Sequence, residues 1–333
     1  MDQTSKNHYA IAALLGVVGI LVLIIFIGLR SQADDSTTSA TVSNATPTID
    51  TITVSSASAG AAVTSLNLEE STSTPLYVYG TFTDNNGCDE VTGAQSSDVP
   101  NFFVWTYRSG VATSSCTSGG TFLSDDRFCY TTASSTSQYN TGVWNATCTF
   151  SGCTGSTDVD GSYECRIPFN YFADPTDSGA YSAQTWNVVV SAADYGNTPA
   201  TLAYSTVEIN AGAALSVTAA VNYGSLAFSA ASAVQTATTT NTGNKMTLDS
   251  YVSGSVLTCT DGTISIGQQK YTTSTSATPN VALTGSNAPL RLSMNKRVST
   301  STAPAVSTTR WQLTMPSSGL SGTCSGTITF TAY

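Results

Sequence analysis

Residues 75–82 read PLYVYGTF, a short segment of β-branched and aromatic residues whose character alternates from one position to the next. In an extended chain Leu76 and Val78 face one side, and the tyrosines that follow each of them face the other. The segment is followed by DNNG at residues 84–87, which is a strong turn signal. This stretch therefore predicts a β-strand with one buried face, closed by a tight turn.

Segments of the same kind recur on both sides of this stretch and are separated by turns rich in Gly, Ser and Asn. No sustained helical periodicity appears after residue 29. The sequence therefore predicts an all-β fold, built as sandwiches of short strands. The further predicted strands lie at residues 49–54, 102–107, 163–169, 186–192, 201–209, 215–221, 224–228, 234–240, 247–252, 263–266, 290–294, 311–315 and 327–333.

The chain is long enough for more than one core, and its composition changes along its length. We predict a cytoplasmic tail at residues 1–8, a transmembrane anchor at 9–29 and a stalk rich in Ser and Thr at 30–47. A β-sandwich is expected at 48–210 and a second at 211–333, divided at NAGAA, residues 210–214.

The predicted anchor reads YAIAALLGVVGILVLIIFIGL and contains no charged residue. A helix of this length spans a hydrocarbon core of about 30 Å, so the lipid bilayer is the expected partner of residues 9–29. A signal peptide cleaved after SQA, residues 31–33, is the alternative, but the apolar run is longer than a signal peptide needs. Small residues at Ala12, Gly16 and Gly19 favour self-association, although such residues are common in membrane helices.

Charge and histidine content narrow the classes of function. Only 10% of the 333 residues are charged, and the net charge is −10. No basic stripe is present, which argues against a nucleic-acid partner. The one histidine is His8, so the predicted β domains lack the commonest general base and metal ligand. We therefore expect a protein that is not an enzyme.

The cysteines predict a disulfide framework in an oxidising compartment. No C-x-x-C pair occurs, which argues against a zinc ribbon. Cys259 and Cys324 are the two cysteines of the second domain, so they are expected to pair, whereas the six of the first domain allow 15 pairings. The oxidising compartment also sets the orientation, with the large C-terminal region outside the cell membrane. The eight predicted disulfide cysteines are Cys88, Cys116, Cys129, Cys148, Cys153, Cys165, Cys259 and Cys324.

Two stretches of the second domain resemble hydin-like domains, which are immunoglobulin-type sandwiches. These stretches are VNYGSL at residues 221–226 and TTTNTGN at residues 238–244. In that family a strand containing YG-L precedes a T-NTGN turn. The resemblance implies a β-sandwich without catalytic activity.

The first domain resembles immunoglobulin-like domains of prokaryotic surface proteins. DSGAY at residues 177–181 is similar to the Asp-x-Gly-x-Tyr of such folds, where the tyrosine packs at a corner between strands. The order Cys88, Trp105, Cys165 is similar to the Cys–Trp–Cys order of the family, and DYGN at residues 194–197 resembles a turn of bacterial repeats. The additional cysteines indicate an insertion at about residues 110–160.

Two candidate binding sites lie in or next to this insertion. Asp158, Asp160 and Glu164 could present three carboxylates to Ca²⁺, with a polar turn as the alternative interpretation. No other cofactor is predicted. Trp144 lies in polar surroundings and is a candidate for an exposed contact with a glycan, whereas Trp186 and Trp311 are expected in the core.

Together these features predict a membrane-anchored, single-pass cell-surface protein that acts as a structural or adhesion component of the cell envelope. The alternative is a surface receptor that binds a glycan or a protein through the cysteine-rich insertion. A hydrolase has little support, because neighbouring acids such as Glu69 and Glu70 would point to opposite faces of a strand.

Overall fold

The computed structural model describes residues 3–28, 45–88, 102–111, 127–131, 146–154, 157–192, 201–218 and 220–333. The chain divides into two compact units, residues 1–44 and 45–333. The predicted stalk falls mainly on residues outside the described ranges.

The first unit contains one helix, α1 (Gln3–Gly28). Its apolar side chains are exposed on every side, from Tyr9 and Ile11 to Leu23. Within the described ranges, no helix has both the length and the hydropathy that a membrane span requires.

The regular secondary structure described in the second unit is mostly β-strand, which agrees with the predicted all-β class. Its first half, residues 45–209, contains two five-stranded sheets, ordered β1-β4-β8-β7 with β2 also on β4, and β3-β10-β9-β5-β6. All their pairings are antiparallel except β3 with β10. The strands are β1 (Thr48–Ile49), β2 (Thr53–Ser55), β3 (Ser65–Leu66), β4 (Ser73–Thr83), β5 (Phe102–Arg108), β6 (Cys129–Thr131), β7 (Thr147–Ser151), β8 (Asp160–Asn170), β9 (Trp186–Ala192) and β10 (Thr201–Ile209).

One apolar core lies between these two sheets. The long strands β4 and β8 pair over their whole lengths, and buried residues alternate with partly exposed ones along both. Leu76 and Val78 of β4 are fully buried, and they share the core with Val188 and Val190 of β9 in the other sheet. The face of residues 75–82 that the alternation predicts to be buried is therefore the buried one, because side chains along a strand alternate with a period of two.

The second half, residues 215–333, contains a five-stranded sheet, β11-β12-β19-β16-β17, and two three-stranded sheets, β18-β13-β21 and β15-β14-β20. Trp311 is fully buried in its main core. The strands are β11 (Leu215–Val217), β12 (Gln235–Asn241), β13 (Thr247–Gly254), β14 (Leu257–Asp261), β15 (Thr263–Ile264), β16 (Gln269–Thr272), β17 (Val281–Ala282), β18 (Ala288–Asn295), β19 (Val306–Leu313), β20 (Ser321–Ser325) and β21 (Ile328–Ala332).

The predicted strand at residues 224–228 is wrong, and the one at 215–221 ends early, at Val217. Asn222 accepts a hydrogen bond from the Gly224 N–H at 2.9 Å, and Gly224 has a φ of 73°. Asn and Gly favour such local turns, which compete with strand pairing. β14, β16, β17 and β20 lie outside the strands that the sequence predicts. Gly, Ser and Thr dilute the alternation of β20, and β17 has only two residues.

Candidate functional site

Three disulfides join described cysteines, Cys88 to Cys153, Cys148 to Cys165 and Cys259 to Cys324. The prediction that Cys259 pairs with Cys324 is confirmed. Cys129 is disulfide-bonded as well, and Cys116 lies outside the described residues. Two of the three bonds are cross-strand links, because Cys148 lies directly opposite Cys165 on β7 and β8, and Cys259 opposite Cys324 on β14 and β20.

Of the 15 pairings that the sequence left open in the first domain, the structure shows two bonds, and neither joins Cys88 to Cys165. Cys165 on β8 bonds to its neighbour on β7 within the same sheet, and Cys88 bonds to Cys153. Directly opposite residues of adjacent antiparallel strands have closely spaced β-carbons, so the nearest partner of Cys165 lies in its own sheet rather than across the core. Of the two described tryptophans of this half, Trp186 of β9 is fully buried and Trp105 is only partly buried.

The three carboxylates predicted for calcium each accept hydrogen bonds from different protein groups. Asp158 accepts from the Thr154 hydroxyl at 2.5 Å and from the Thr154 N–H at 2.8 Å, and the hydroxyl bond holds its pKa below the usual 3.8. Asp160 accepts from a threonine hydroxyl of β4, and Glu164 from a serine hydroxyl and a backbone N–H of residues 58–59. Within the described ranges, no three acidic, His or Cys residues are grouped as a metal site.

Trp144 lies outside the described residues, as does much of the cysteine-rich insertion at 110–160. The described strands of this insertion, β6 and β7, pair with the sheets of the first half. β6 pairs with β5, and β7 pairs with β8. The insertion is therefore anchored at a strand of each sheet, and the candidate glycan contact stays a prediction.

A buried cluster of charges joins the two halves of the second unit. Asp174 is 1% exposed, and its carboxylate accepts a hydrogen bond from Arg108 Nε at 2.9 Å. The Lys296 ammonium lies 2.7 Å from the other carboxylate oxygen, as an ion pair outside hydrogen-bond geometry. The same ammonium donates to the Phe172 carbonyl at 2.7 Å. Because Lys296 belongs to the second half, this cluster fixes one half against the other.

The turn that resembles T-NTGN completes this junction. Asn244 donates from Nδ2 to the carbonyls of Asn210 at 3.0 Å and Ala173 at 3.3 Å, and its Oδ1 accepts from the Gly212 N–H. A β-carbon on Gly243 would lie 2.1 Å from the Gly212 carbonyl oxygen, so only glycine allows this approach. The TTTNTGN turn, which resembles that of hydin-like domains, therefore stabilises the connection between the two halves.

The Asp-x-Gly-x-Tyr stretch also supports the junction. It forms a short 3₁₀ helix, Gly179–Tyr181, and Asp177 Oδ1 accepts from the Ala211 N–H at 2.9 Å. The Tyr181 ring lies 3.7 Å below the Arg108 guanidinium, an attractive cation–π contact. The tyrosine thus holds the arginine that pairs with Asp174.

The second half contains a groove with a volume of about 1140 Å³, lined by residues 217, 218 and 220–226 on one side and 322–330 on the other. Leu257, Ile264 and Leu313 form part of its floor and belong to one apolar cluster. Val221 and Phe330 pack instead against the main core of this half. The groove therefore lies where two apolar clusters meet.

Tyr223 is the residue shared by both clusters. Its hydroxyl lies 3.3 Å from Oε1 of the buried Gln269, and burial raises the pKa of Tyr223 to about 12. None of the described residues that line the groove is charged. The groove can therefore offer apolar contacts and neutral hydrogen bonds, but no acid–base chemistry near neutral pH.

One wall of the groove is the open edge of a sheet. Among the described strands, β21 pairs with β13 alone and β20 with β14 alone, so both lie at the edges of their sheets. Edge strands expose rows of backbone N–H and C=O groups. The sequence pattern does not predict this groove, although the YG-L stretch at residues 221–226 is part of its lining.

The chain matches no known protein-family model, and no curated protein aligns with it significantly. The assignment of function therefore rests on the residues and their geometry.

Proposed function

We propose that this protein is a membrane-anchored component of the cell surface, of a prokaryotic type, that acts as a structural or adhesion protein without catalytic activity. In this proposal its two β halves are immunoglobulin-like sandwiches, the second of them hydin-like. The observation that carries the proposal is that the described cysteines are all disulfide-bonded within a β-rich unit. Such bonds persist in oxidising compartments outside the cytosol.

Three further features support this role. The apolar run at residues 9–29 can place the chain in a lipid bilayer, with the C-terminal region outside the cell. The junction at Asp174 and Asn244 holds the two halves in one arrangement, as a surface protein under mechanical force requires. Low charge and many hydroxyl side chains suit contact with neutral surfaces.

The experiment compares the full chain with a variant that lacks residues 9–29, both expressed in the native host. A membrane-impermeant amine reagent is added to intact cells, where the exposed Lys270 is one target. We expect the full chain to be labelled on intact cells, with its cysteines oxidised after rapid thiol trapping. We expect the variant to lose its association with membranes.

Labelling of the full chain only after cell lysis, or free thiols at the described cysteines, would contradict the proposal. The structural or adhesive role is tested separately, by deleting the gene and measuring envelope integrity and cell attachment. Cells that keep both properties would show that surface exposure alone does not describe the function.

A further inference from the structure

We propose that the groove binds an extended, uncharged peptide segment of a partner protein, which joins the sheet as an additional strand beside β21. This inference adds to the proposed function the kind of partner that the protein binds. It rests on the proposed function only for the location of that partner, which is the cell surface.

The backbone of β21 identifies the groups that a partner strand would engage. Asp249 and Tyr333 exchange two backbone hydrogen bonds, N–H to O=C in both directions, at 3.0 and 3.4 Å. Antiparallel pairs alternate between bonded and non-bonded positions, so the groups of Ile328, Phe330 and Ala332 point away from β13. Within the part of the chain that the structure describes, no other strand pairs with β21.

Three outward residues present three N–H and three C=O groups, over a strand of five residues. At about 3.3 Å per residue the edge is roughly 16 Å long, which matches a partner segment of five to seven residues. Backbone pairing at a sheet edge supplies affinity in strand addition, and pockets for alternate side chains supply selectivity.

The floor of the groove determines the side chains of the partner. Alternate residues of an added strand would face Leu257 and Leu313, which are buried and apolar. A charge placed there would lose its hydration without gaining an opposite charge, because the described lining is uncharged. The groove therefore favours apolar residues at every second position and disfavours phosphates, nucleic acids and anionic headgroups.

The protein's own segment on the opposite wall does not occupy this edge. Ala220 has a φ of 26° and Gly224 a φ of 73°, so two left-handed residues interrupt the path that an extended strand requires. The segment thus lines the groove, and the strand before it, β11, approaches β21 without pairing to it.

The test uses the full chain in detergent and an eight-residue peptide, acetylated and amidated, in which Val alternates with Thr. Amide hydrogen exchange is followed by NMR. We expect saturating peptide to slow exchange at Ile328 and Phe330 at least tenfold. In an antiparallel added strand the valine N–H groups face β21, and in a parallel one the threonine N–H groups do. One of two peptides, N-methylated on all Val or on all Thr, should therefore bind, and the other should not.

A matched pair of protein variants tests the same edge. Ile328→Pro removes an outward N–H and places a ring in the gap, whereas Ile328→Ala removes similar apolar contact but keeps the N–H. We expect the proline variant to bind the peptide at least tenfold more weakly than the alanine variant, with a melting temperature within a few degrees of it. If the proline variant does not fold, the N-methylated peptides decide the question with the unaltered chain.

The inference is wrong if Ile328 and Phe330 are already protected in the free protein, if the peptide leaves their exchange unchanged, or if both N-methylated peptides bind equally. Equal affinities of two folded Ile328 variants would also overturn it. Since peptide binding is measured on the purified protein and surface exposure on cells, failure of this inference is distinguishable from failure of the proposed function.

Discussion

The buried charge cluster at the junction gives the sharpest prediction of stability. Asp174→Asn keeps the shape of the side chain but removes the negative charge that faces Arg108 and Lys296. Both cations are buried, at 8% and 5% exposure. The substitution therefore leaves two positive charges in the interior without their common counter-ion.

Removing one partner of a buried ion pair costs about 3–5 kcal/mol. We expect the lower end of this range, about 3 kcal/mol, because each cation keeps another contact. Lys296 still donates to the Phe172 carbonyl, and Arg108 still lies over the Tyr181 ring. Lys296→Met leaves Asp174 bonded to Arg108 and should cost less, about 1–2 kcal/mol.

The assay is urea unfolding of the oxidised protein, followed by tryptophan fluorescence. Trp186 and Trp311 report on the separate cores of the two halves. A loss of about 3 kcal/mol should lower the urea midpoint by roughly 1 M. Hydrogen exchange should show faster opening on both sides of the junction, near residues 172–174 and 242–244. The double variant Asp174→Asn, Lys296→Met should cost at least about 1 kcal/mol less than the sum of the single variants.

A cost below about 1 kcal/mol for Asp174→Asn would refute the reasoning, because a buried carboxylate between two buried cations cannot be removed so cheaply. A Lys296→Met variant that is less stable than Asp174→Asn would refute it as well. Additive effects in the double variant would show that Asp174 and Lys296 act independently.

Three further predictions concern single groups. Replacing Cys259 and Cys324 by Ser opens a loop with a sequence separation of 65 and should lower the free energy of unfolding in urea by about 4 kcal/mol. Removing the disulfide between β7 and β8, whose sequence separation is 17, should lower it less, by about 3 kcal/mol. The reverse order of these two losses would contradict the argument from loop length. Because the pKa of Tyr223 is raised in the folded protein, the unfolded chain loses its phenolic proton at lower pH. Stability should therefore fall as the pH rises from 10 towards 12, by at most about 1.4 kcal/mol per pH unit. Tyr223→Phe should make this decline shallower, and an unchanged slope would count against burial of the hydroxyl. The hydrogen bond from the Thr154 hydroxyl lowers the pKa of Asp158. Thr154→Val should therefore raise the pKa of Asp158 towards 3.8, measured by NMR titration of the carboxyl carbon. An unchanged pKa would assign the lowering to another group.

Several features of the fold could be predicted from the sequence, because they depend on neighbouring residues alone. The alternation at residues 186–192 and 201–209 predicts β9 and β10 with their observed ends. The burial of Trp186 and Trp311 follows from their places in such strands. The bond between Cys259 and Cys324 follows because these cysteines lie far from the other six along the chain.

The neighbours of the candidate site residues depend on strand register more than the strands themselves do. The three acids proposed for calcium are engaged separately by hydroxyl and N–H groups, because strand register gives each of them different neighbours. Cys165 bonds within its own sheet, since β7 lies directly beside β8. Neither outcome is visible in the local pattern, because register between strands is set by long-range pairing.

The sequence by itself determined the class of the fold, the strand faces and the disulfide chemistry, since these follow from a two-residue period and from cysteine content. Only the tertiary structure decided that Asp174 would lie between Arg108 and Lys296, residues 66 and 122 positions away along the chain. It also decided that β21 would lie at the edge of its sheet among the described strands. The physical reason is that the free energy of a buried charge or of an unpaired backbone group depends on what packs beside it, and those neighbours come from distant parts of the chain.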